Sequence, residues 1–240
     1  MTTPIEITPG LVTQNLPEAL RLQDFKLIAF DMDSTLINIE CIDEIADATG
    51  RKAEVAAITE AAMRGEITDF RESLRRRLSL LQGVHTSHLE RVYNERLQIN
   101  PGVPELIQAC KAAGLKVMLV SGGFTFFAER LRARLGLDFV RSNQLEIIGD
   151  TLTGQLVTQS WGDVCDASEK RRTVVDMCSL LGCSPSQAIA VGDGANDLEM
   201  MKAVGLSVAY HAKPTVRAQA KVAINAGGLD RLLEVFAPAA

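Results

Sequence analysis

Five short apolar runs recur along the chain, each of a length that suits one buried strand. They lie at residues 26–30, 116–120, 188–191, 206–209 and 222–224. Uninterrupted apolar runs of this length are typical of parallel strands that are covered on both faces. Helical patterns fill the intervals, and alternating strands and helices predict an α/β fold with a doubly wound, Rossmann-like parallel sheet. Ligands of such sheets bind at the carboxyl ends of the strands.

The helical patterns between these runs end at glycines. Segments 104–113, 124–135 and 168–181 are followed by Gly114, Gly136 and Gly182, respectively. Glycine adopts the left-handed conformation that commonly ends a helix, so these positions predict three helix boundaries.

The strand-like runs disappear between residues 39 and 100. Apolar residues recur there at three- and four-residue spacing, which predicts an inserted helical cap. Residues 145–156 contain Gly149-Asp150 and Thr153-Gly154 between short apolar stretches, which predicts a small β-hairpin flap. We therefore expect a core of residues 24–38 and 101–240, a cap of residues 39–100 and a short N-terminal extension of residues 1–23.

Composition and charge exclude several classes of protein. No apolar run reaches the roughly 18 residues that a membrane-spanning helix needs, and residues 1–15 lack the pattern of a secretory signal. The 5 cysteines form no CxxC pair, which favours reduced thiols over disulfides or a zinc site. The net charge of −5 comes from interspersed acidic and basic residues, so no nucleic-acid surface is expected. These features predict a cytoplasmic protein without a membrane or nucleic-acid partner, and they leave both a monomer and a homodimer open.

Two carboxylates, Asp31 and Asp33, directly follow the first predicted strand in the segment DMDSTL. Carboxylates at this spacing can converge on one cation while one of them attacks an electrophile. Acidic residues also end strands and cap helices, so the pair alone leaves a structural interpretation open.

Three further polar segments follow later strands or begin helices. Ser121-Gly122-Gly123 places a hydroxyl and backbone amides at a helix start, which suits an anion, although a tight turn would have the same composition. Lys170 lies early in a helix, where the dipole disfavours a cation; a nearby phosphate would explain it, and an exposed surface lysine is the alternative. Asp193, Asn196 and Asp197 lie in a glycine-rich turn whose oxygens suit Mg²⁺.

In order and in setting, these four segments resemble the four motifs of the haloacid dehalogenase-like phosphatases. Within that superfamily the chain resembles the phosphoserine phosphatase family, over nearly everything from about residue 26 to the C-terminus. The segments that carry this resemblance are FDMDSTLINIE, MRGEITDFRESLRRRLSLLQG, VSGGFTFFAERL, DTLTGQL, VCDASEK, VGDGANDLEMM and YHAKPTV.

The resemblance implies a Mg²⁺-dependent phosphatase that hydrolyses O-phosphoserine, a small-molecule substrate, in the last step of serine biosynthesis. Asp31 would attack phosphorus and form an aspartyl-phosphate, while Asp33 would act as general acid and then general base. The metal site would consist of the side chains of Asp31 and Asp193 and the backbone carbonyl of Asp33, with Asp197 in support.

The same resemblance implies roles for the remaining site residues. Ser121, Gly122 and Lys170 would bind the phosphoryl oxygens. The substrate would be bound by five residues: Glu40 at its ammonium, Arg77 at its carboxylate, Phe70 and Met63 as apolar cover, and Asn196 as an orienting group. A solvated arginine face is the alternative for Arg77, and core packing is the alternative for Phe70 and Met63.

Three other functions stay open at this point. A phosphotransferase would pass the aspartyl-phosphate to another hydroxyl, such as that of homoserine, with an identical site. A broader phosphomonoesterase would not depend on Arg77. A silent phospholigand-binding module is disfavoured by the presence of both Asp31 and Asp33, since an extra carboxylate repels a bound anion.

Overall fold

A nine-stranded sheet lies at the centre of the described structure. The computed structural model describes residues 4–17, 19–63 and 66–237, and the side chain of Met63 lies outside this description. The strands are β1 (Ile5–Thr8), β2 (Leu11–Thr13), β3 (Leu27–Phe30), β4 (Lys116–Phe124), β5 (Phe139–Ile148), β6 (Thr151–Val157), β7 (Ala188–Gly192), β8 (Leu206–Tyr210) and β9 (Val222–Ile224). Their order across the sheet is β1-β2-β9-β8-β7-β3-β4-β5-β6.

Helices connect these strands and form the segment between β3 and β4. They are α1 (Cys41–Ala48), α2 (Lys52–Met63), α3 (Phe70–Ser79), α4 (Ser87–Arg91), α5 (Val103–Ala112), α6 (Thr125–Leu135), α7 (Ala167–Leu180), α8 (Leu198–Ala203) and α9 (Pro214–Arg217). Among the described residues, no helix is both long enough and apolar enough to cross a membrane.

The central strands confirm the predicted α/β sheet. Strands β9, β8, β7, β3, β4 and β5 pair in parallel, and every strand predicted from an apolar run is present. Both faces of β3 are covered, because Ile28 and Phe30 pack into one hydrophobic cluster while Leu27 and Ala29 pack into the other. This burial explains why the strand reads as a continuous apolar run rather than as an alternating one.

Antiparallel strands extend the sheet at both ends. Strands β5 and β6 pair around Gly149-Asp150 and form the expected hairpin. At the other end β1 pairs with β2, and β2 pairs with β9. Neither β1 nor β2 was predicted from the sequence. All four residues of β1 are exposed and carry no inward-facing pattern, and β2 is only 3 residues long.

The two ends of the helical segment between β3 and β4 lie next to each other. Ile37 and Ile99 form an antiparallel bridge, and the Asn100 side chain donates to the carbonyls of Thr35 and Ile37 at 2.8 and 3.0 Å. The segment that carries α1 to α4 therefore starts and ends near the carboxyl end of β3.

Candidate active site

Asp31 lies at the carboxyl end of β3, in the middle of the sheet. Its backbone N–H donates to the carbonyl of Val191 at 2.9 Å, so the backbone at this residue is held against β7. Its Oδ1 accepts from the backbone N–H of Met32 at 2.7 Å and lies 2.8 Å from the Lys170 ammonium. Two donors therefore fix the orientation of a carboxylate that is almost completely buried.

Asp33 follows in a tight π-type turn, Met32–Leu36. Asp33 itself is extended, and Ser34 adopts a left-handed conformation with φ of 56°, which is uncommon for a residue with a side chain. This turn directs the Asp33 carboxyl to the backbone N–H of Cys41, which donates to Oδ2 at 3.2 Å. Oδ1 of Asp33 is buried and finds no donor within the described part of the chain.

The surroundings of Asp33 favour its protonated form. Burial raises the pKa of Asp33 well above its ordinary value, and the neighbouring charges of Glu40 and Asp31 raise it further. A raised pKa favours the protonated form that a general acid needs.

Ser121, Gly122 and Gly123 form the end of β4 rather than a loop after it, because the strand continues to Phe124. The N–H of Gly123 donates to Ser121 Oγ at 2.9 Å. A Cβ atom at Gly123 would lie 3.2 Å from Ser121 Oγ and 3.4 Å from Asp33 Oδ2. The same Cβ atom would collide with Cε of Met32, so only glycine leaves this space beside Ser121 and Asp33 open.

Lys170 is completely buried on the first turns of α7. Its ammonium lies 2.8 Å from Asp31 Oδ1 and 2.7 Å from Asp197 Oδ1. Burial alone would lower the pKa of Lys170, but the carboxylates of Asp197 and Asp31 outweigh it and raise the pKa above its ordinary value. The alternative of an exposed surface lysine is therefore wrong.

Asp193 directly follows β7, and Asn196 and Asp197 lie in the short 3-10 turn Ala195–Asp197 that comes next. Oδ2 of Asp197 accepts from the N–H groups of Asp193 and Gly194 at 3.2 and 3.0 Å, while its Oδ1 faces Lys170. Asp197 thus fixes the shape of this turn and the position of the lysine. A Cβ atom at Gly194 would collide with Oδ1 of Asn196, whose side chain lies over the turn.

Three carboxylates gather at this edge of the sheet. Asp31, Asp193 and Asp197 each offer an oxygen, and these atoms lie within 4.8 Å of one another. Burial and the neighbouring charge of Asp31 raise the pKa of Asp193 to about 7 and that of Asp197 to about 6. Clustered carboxylates with raised pKa values and oxygen-only donors match the preference of a hard divalent cation.

Residues of the helical segment between β3 and β4 also lie at this edge. Glu40 is solvent-exposed and accepts from Ser34 Oγ at 2.7 Å. A Cβ atom at Gly122 would lie 3.2 Å from Cζ of Phe70, so the Phe70 ring lies over the end of β4. Met63 ends α2, and its side chain is outside the described residues.

Arg77 faces the same site from α3. Burial lowers the pKa of Arg77, while the charges of Asp43, Glu40 and Asp33 oppose that shift. Its Nε donates to the Ser73 carbonyl at 3.4 Å. The side chain is partly buried among carboxylates and does not belong to the solvated arginine face on which Arg75 and Arg76 lie.

The structure adds three residues that the sequence analysis did not single out. Thr35 is buried, and its Oγ1 lies 3.4 Å from Asp193 Oδ1. Asp43 is an electrostatic neighbour of Arg77, and among the described residues its buried Oδ1 finds no donor. Asn143 is completely buried and binds the backbone of Gly122. The DMDSTL segment, which contains Thr35, was a signal that could have indicated this residue. No local sequence pattern marks a buried asparagine within a strand.

Comparisons with known proteins bear on this arrangement. A family model for haloacid dehalogenase-like hydrolases matches residues 25–205. The chain belongs to this family. A phosphoserine phosphatase of Albidiferax ferrireducens is 65% identical over 235 residues, which cover 98% of this chain and 99% of the relative. One from Idiomarina loihiensis is 49% identical, with coverage of 86% of this chain and 91% of the relative.

Solved structures of this hydrolase family show the same fold. A phospho-aspartyl intermediate analogue of phosphoserine phosphatase superposes with a TM-score of 0.80 at 37% identity, covering 89% of this chain and 99% of the other. A substrate-bound phosphoserine phosphatase complex superposes with a TM-score of 0.80 at 36% identity and the same coverage. These comparisons confirm the predicted fold class and family.

Proposed function

We propose that this hydrolase converts O-phosphoserine to serine and phosphate through an aspartyl-phosphate on Asp31. The observation that carries the proposal is the arrangement at the carboxyl end of β3, where the fully buried Lys170 ammonium lies 2.8 Å from Asp31 Oδ1, and where Asp33 Oδ2 and Ser121 Oγ both lie next to Gly123. The high identity to phosphoserine phosphatases over nearly the whole chain supports the choice of substrate.

In the first step an oxygen of Asp31 attacks phosphorus as the bond between phosphorus and the seryl oxygen breaks. The electron pair of that bond stays on the seryl oxygen, which takes the proton held by Asp33. This division of one difficult displacement into two easier steps is the benefit of covalent catalysis. The raised pKa of Asp33, caused first by burial, supports its role as proton donor.

In the second step water attacks the same phosphorus and gives a proton to Asp33, which is now a carboxylate. The bond between phosphorus and Asp31 breaks, and both aspartates return to their initial states. One carboxyl group thus acts as acid and then as base.

The phosphoryl group would be held by Ser121, the N–H of Gly122 and Lys170. Because Ser121 Oγ already accepts from Gly123, its own proton is available to a phosphoryl oxygen. The Lys170 ammonium lies between Asp31 and Asp197 and would neutralise charge that develops on the transferring group. Asn196, on the neighbouring turn, would orient the phosphate or the substrate.

The residues present fit Mg²⁺. Asp31 and Asp193 would hold it with their side chains and Asp33 with its backbone carbonyl, while Asp197 would support the arrangement. The bound ion would shield the repulsion between a carboxylate nucleophile and a phosphate dianion.

The amino-acid part of the substrate would lie under the insertion. Arg77 would bind its carboxylate with a bidentate fork, and Glu40 would bind its ammonium. Phe70 over Gly122 would exclude water from the phosphoryl group, and Met63 is proposed as a second apolar cover. In this arrangement residues 39–100 act as a cap over a core of residues 24–38 and 101–240, and residues 1–23 are an extension. We place the reaction in the cytoplasm, as the last step of serine biosynthesis.

A panel of phosphate esters tests this function. Phosphoserine, phosphothreonine, phosphoethanolamine and p-nitrophenyl phosphate would be assayed with Mg²⁺ and with a chelator, and the products would be identified. We expect rapid phosphate release from phosphoserine with Mg²⁺ only. Preferential turnover of another ester, or formation of a new phosphate ester when homoserine is added, would contradict the proposal.

A further inference from the structure

Asn143 fills a gap in the pairing of β4 with β5. The ladder between the two strands is irregular between Val120 and Phe124, and Asn143 stands opposite Phe124 where pairing resumes. Residues 121–123 therefore leave the regular ladder at the point where they would meet a phosphoryl group. The side chain of Asn143 donates through Nδ2 to the Gly122 carbonyl at 2.7 Å.

This hydrogen bond fixes one peptide group from one side, and Ser121 fixes it from the other. The peptide between Gly122 and Gly123 offers its carbonyl to Asn143 and its N–H to Ser121 Oγ at 2.9 Å. A hydroxyl oxygen that accepts from a fixed N–H directs its own proton elsewhere. The orientation of the Ser121 hydroxyl thus depends on a peptide that Asn143 holds in place.

The other end of the same amide binds the segment that carries Lys170. Oδ1 of Asn143 accepts from the Cys165 N–H at 2.7 Å. The next residue, Asp166, caps α7 by accepting from the Glu169 N–H at 2.9 Å, and its carbonyl accepts from the Lys170 N–H at 2.8 Å. Asn143 therefore holds the residue that directly precedes the N-cap of the helix that carries Lys170.

We propose that Asn143 is a positioning residue that fixes Ser121 and Lys170 relative to each other around the phosphoryl group. It is 0% exposed, and a buried amide group is costly unless both its donor and its acceptor are used. One rigid side chain uses the donor on one phosphate-binding segment and the acceptor on the other. This inference rests on the proposed function of those two segments.

The test uses Asn143→Leu, which has a similar shape without polar groups, and Asn143→Asp, which retains the acceptor but loses the donor. We expect each to lower kcat for phosphoserine roughly 10- to 100-fold, with a smaller effect on KM, because misplaced electrostatic groups mainly destabilise the transition state. Binding of inorganic phosphate should weaken roughly 10-fold, a result that does not depend on turnover.

Ser207→Ala is the matched control. Ser207 is also buried in the sheet, and its Oγ accepts from a backbone N–H, that of Lys221 at 3.0 Å, away from the site. It should lower the melting temperature without a change in kcat. If Asn143 acted in folding alone, its variants would also show a lower melting temperature, with kcat and phosphate affinity within about 2-fold of the wild type. That result would overturn the proposal.

A double-substitution cycle tests the connection to Ser121. In a Ser121→Ala background, Asn143→Leu should cost distinctly less kcat than it does alone, because the group that it positions has been removed. Equal costs in both backgrounds would also contradict the proposal. If the wild-type enzyme fails to hydrolyse phosphoserine, the proposed function is wrong, and the phosphate-binding comparison still decides the role of Asn143.

Discussion

The Lys170 ammonium lies 2.8 Å from the carboxylate of Asp31, and the lysine side chain is fully buried. A cation in this position offsets the negative charge of Asp31, and in the proposed mechanism it would also face the phosphoryl group. The same contact makes Lys170 important for stability, because its loss leaves Asp31 and Asp197 without their cation.

Replacement of Lys170 by methionine should therefore affect both stability and activity. Loss of one partner from a buried ion pair typically costs about 3 to 5 kcal/mol in the free energy of unfolding, and kcat should fall at least on the order of 100-fold. Urea unfolding in the presence of a chelator measures the first effect. Lys202→Met, at an exposed position of α8, is the control and should change stability by less than about 0.5 kcal/mol. Wild-type stability in Lys170→Met would contradict this account of the pair.

Asp193→Asn should stabilise the metal-free protein at neutral pH. Burial and Asp31 raise the pKa of Asp193 to about 7, so the folded state favours the proton more than the unfolded state does. The stabilising contribution of this group is thus fully present below its ordinary pKa and is lost as the pH rises through about 7. Thermal unfolding with a chelator should show a smaller loss of stability with rising pH in Asp193→Asn than in the wild type.

The same variant should abolish stabilisation by Mg²⁺. A ligand present at a hundred times its dissociation constant stabilises the folded state by about 2.7 kcal/mol, and we expect this shift in the wild type only. An equal response to Mg²⁺ in both proteins would place the ion elsewhere.

Arg77→Lys should impair the use of phosphoserine while leaving phosphoethanolamine, which lacks the carboxylate, nearly unaffected. Lysine keeps the charge but cannot form the bidentate fork, so kcat/KM for phosphoserine should fall roughly 10- to 100-fold. Arg76→Lys changes the adjacent arginine, which instead pairs with Glu72 on the helix surface, and should change neither substrate. A parallel loss for both substrates in Arg77→Lys would exclude a carboxylate-specific role.

Asp33→Asn should slow substrates according to their leaving groups. General acid catalysis typically contributes 10²- to 10⁴-fold in rate, but p-nitrophenolate leaves without needing a proton. The formation of phosphoenzyme should thus fall far more with phosphoserine than with p-nitrophenyl phosphate. Single-turnover measurements would show this difference, and equal losses for the two substrates would contradict the role of Asp33 as an acid.

Much of this fold could be predicted because its central strands are buried on both faces. The apolar run of β3 and the glycine that ends α6, Gly136 with φ of 65°, each have one dominant physical cause. The strand β1 was not predicted, since its side chains are exposed and its position depends on pairing with β2. The first half of β5 was also missed, because its buried polar residues Ser142 and Asn143 break the apolar pattern.

The residues of the candidate site also fall into those that the sequence predicts and those that it does not. Asp31, Ser121 and Asp193 were predicted to lie at one edge because parallel strands place their carboxyl ends there, whereas the place of Lys170 was implied by the resemblance to the haloacid dehalogenase-like phosphatases. The structure places Lys170 and Asp193 close to Asp31, and Ser121 close to Gly123 and Asp33. Asn143 could not be predicted, since its role arises from a gap in the ladder between β4 and β5 that no local pattern reveals. The chemical role of each residue stays a prediction until it is tested.

The most direct test of the proposed mechanism is to trap the covalent intermediate. The enzyme would be mixed with phosphoserine labelled at phosphorus, quenched with acid during turnover, treated with borohydride and digested for mass spectrometry. We predict that the acid-quenched protein carries the label, that borohydride releases it as phosphate while it reduces the acyl phosphate, and that the resulting alcohol maps to Asp31. Label on another side chain, or steady hydrolysis by Asp31→Asn without any phosphoenzyme, would contradict the account.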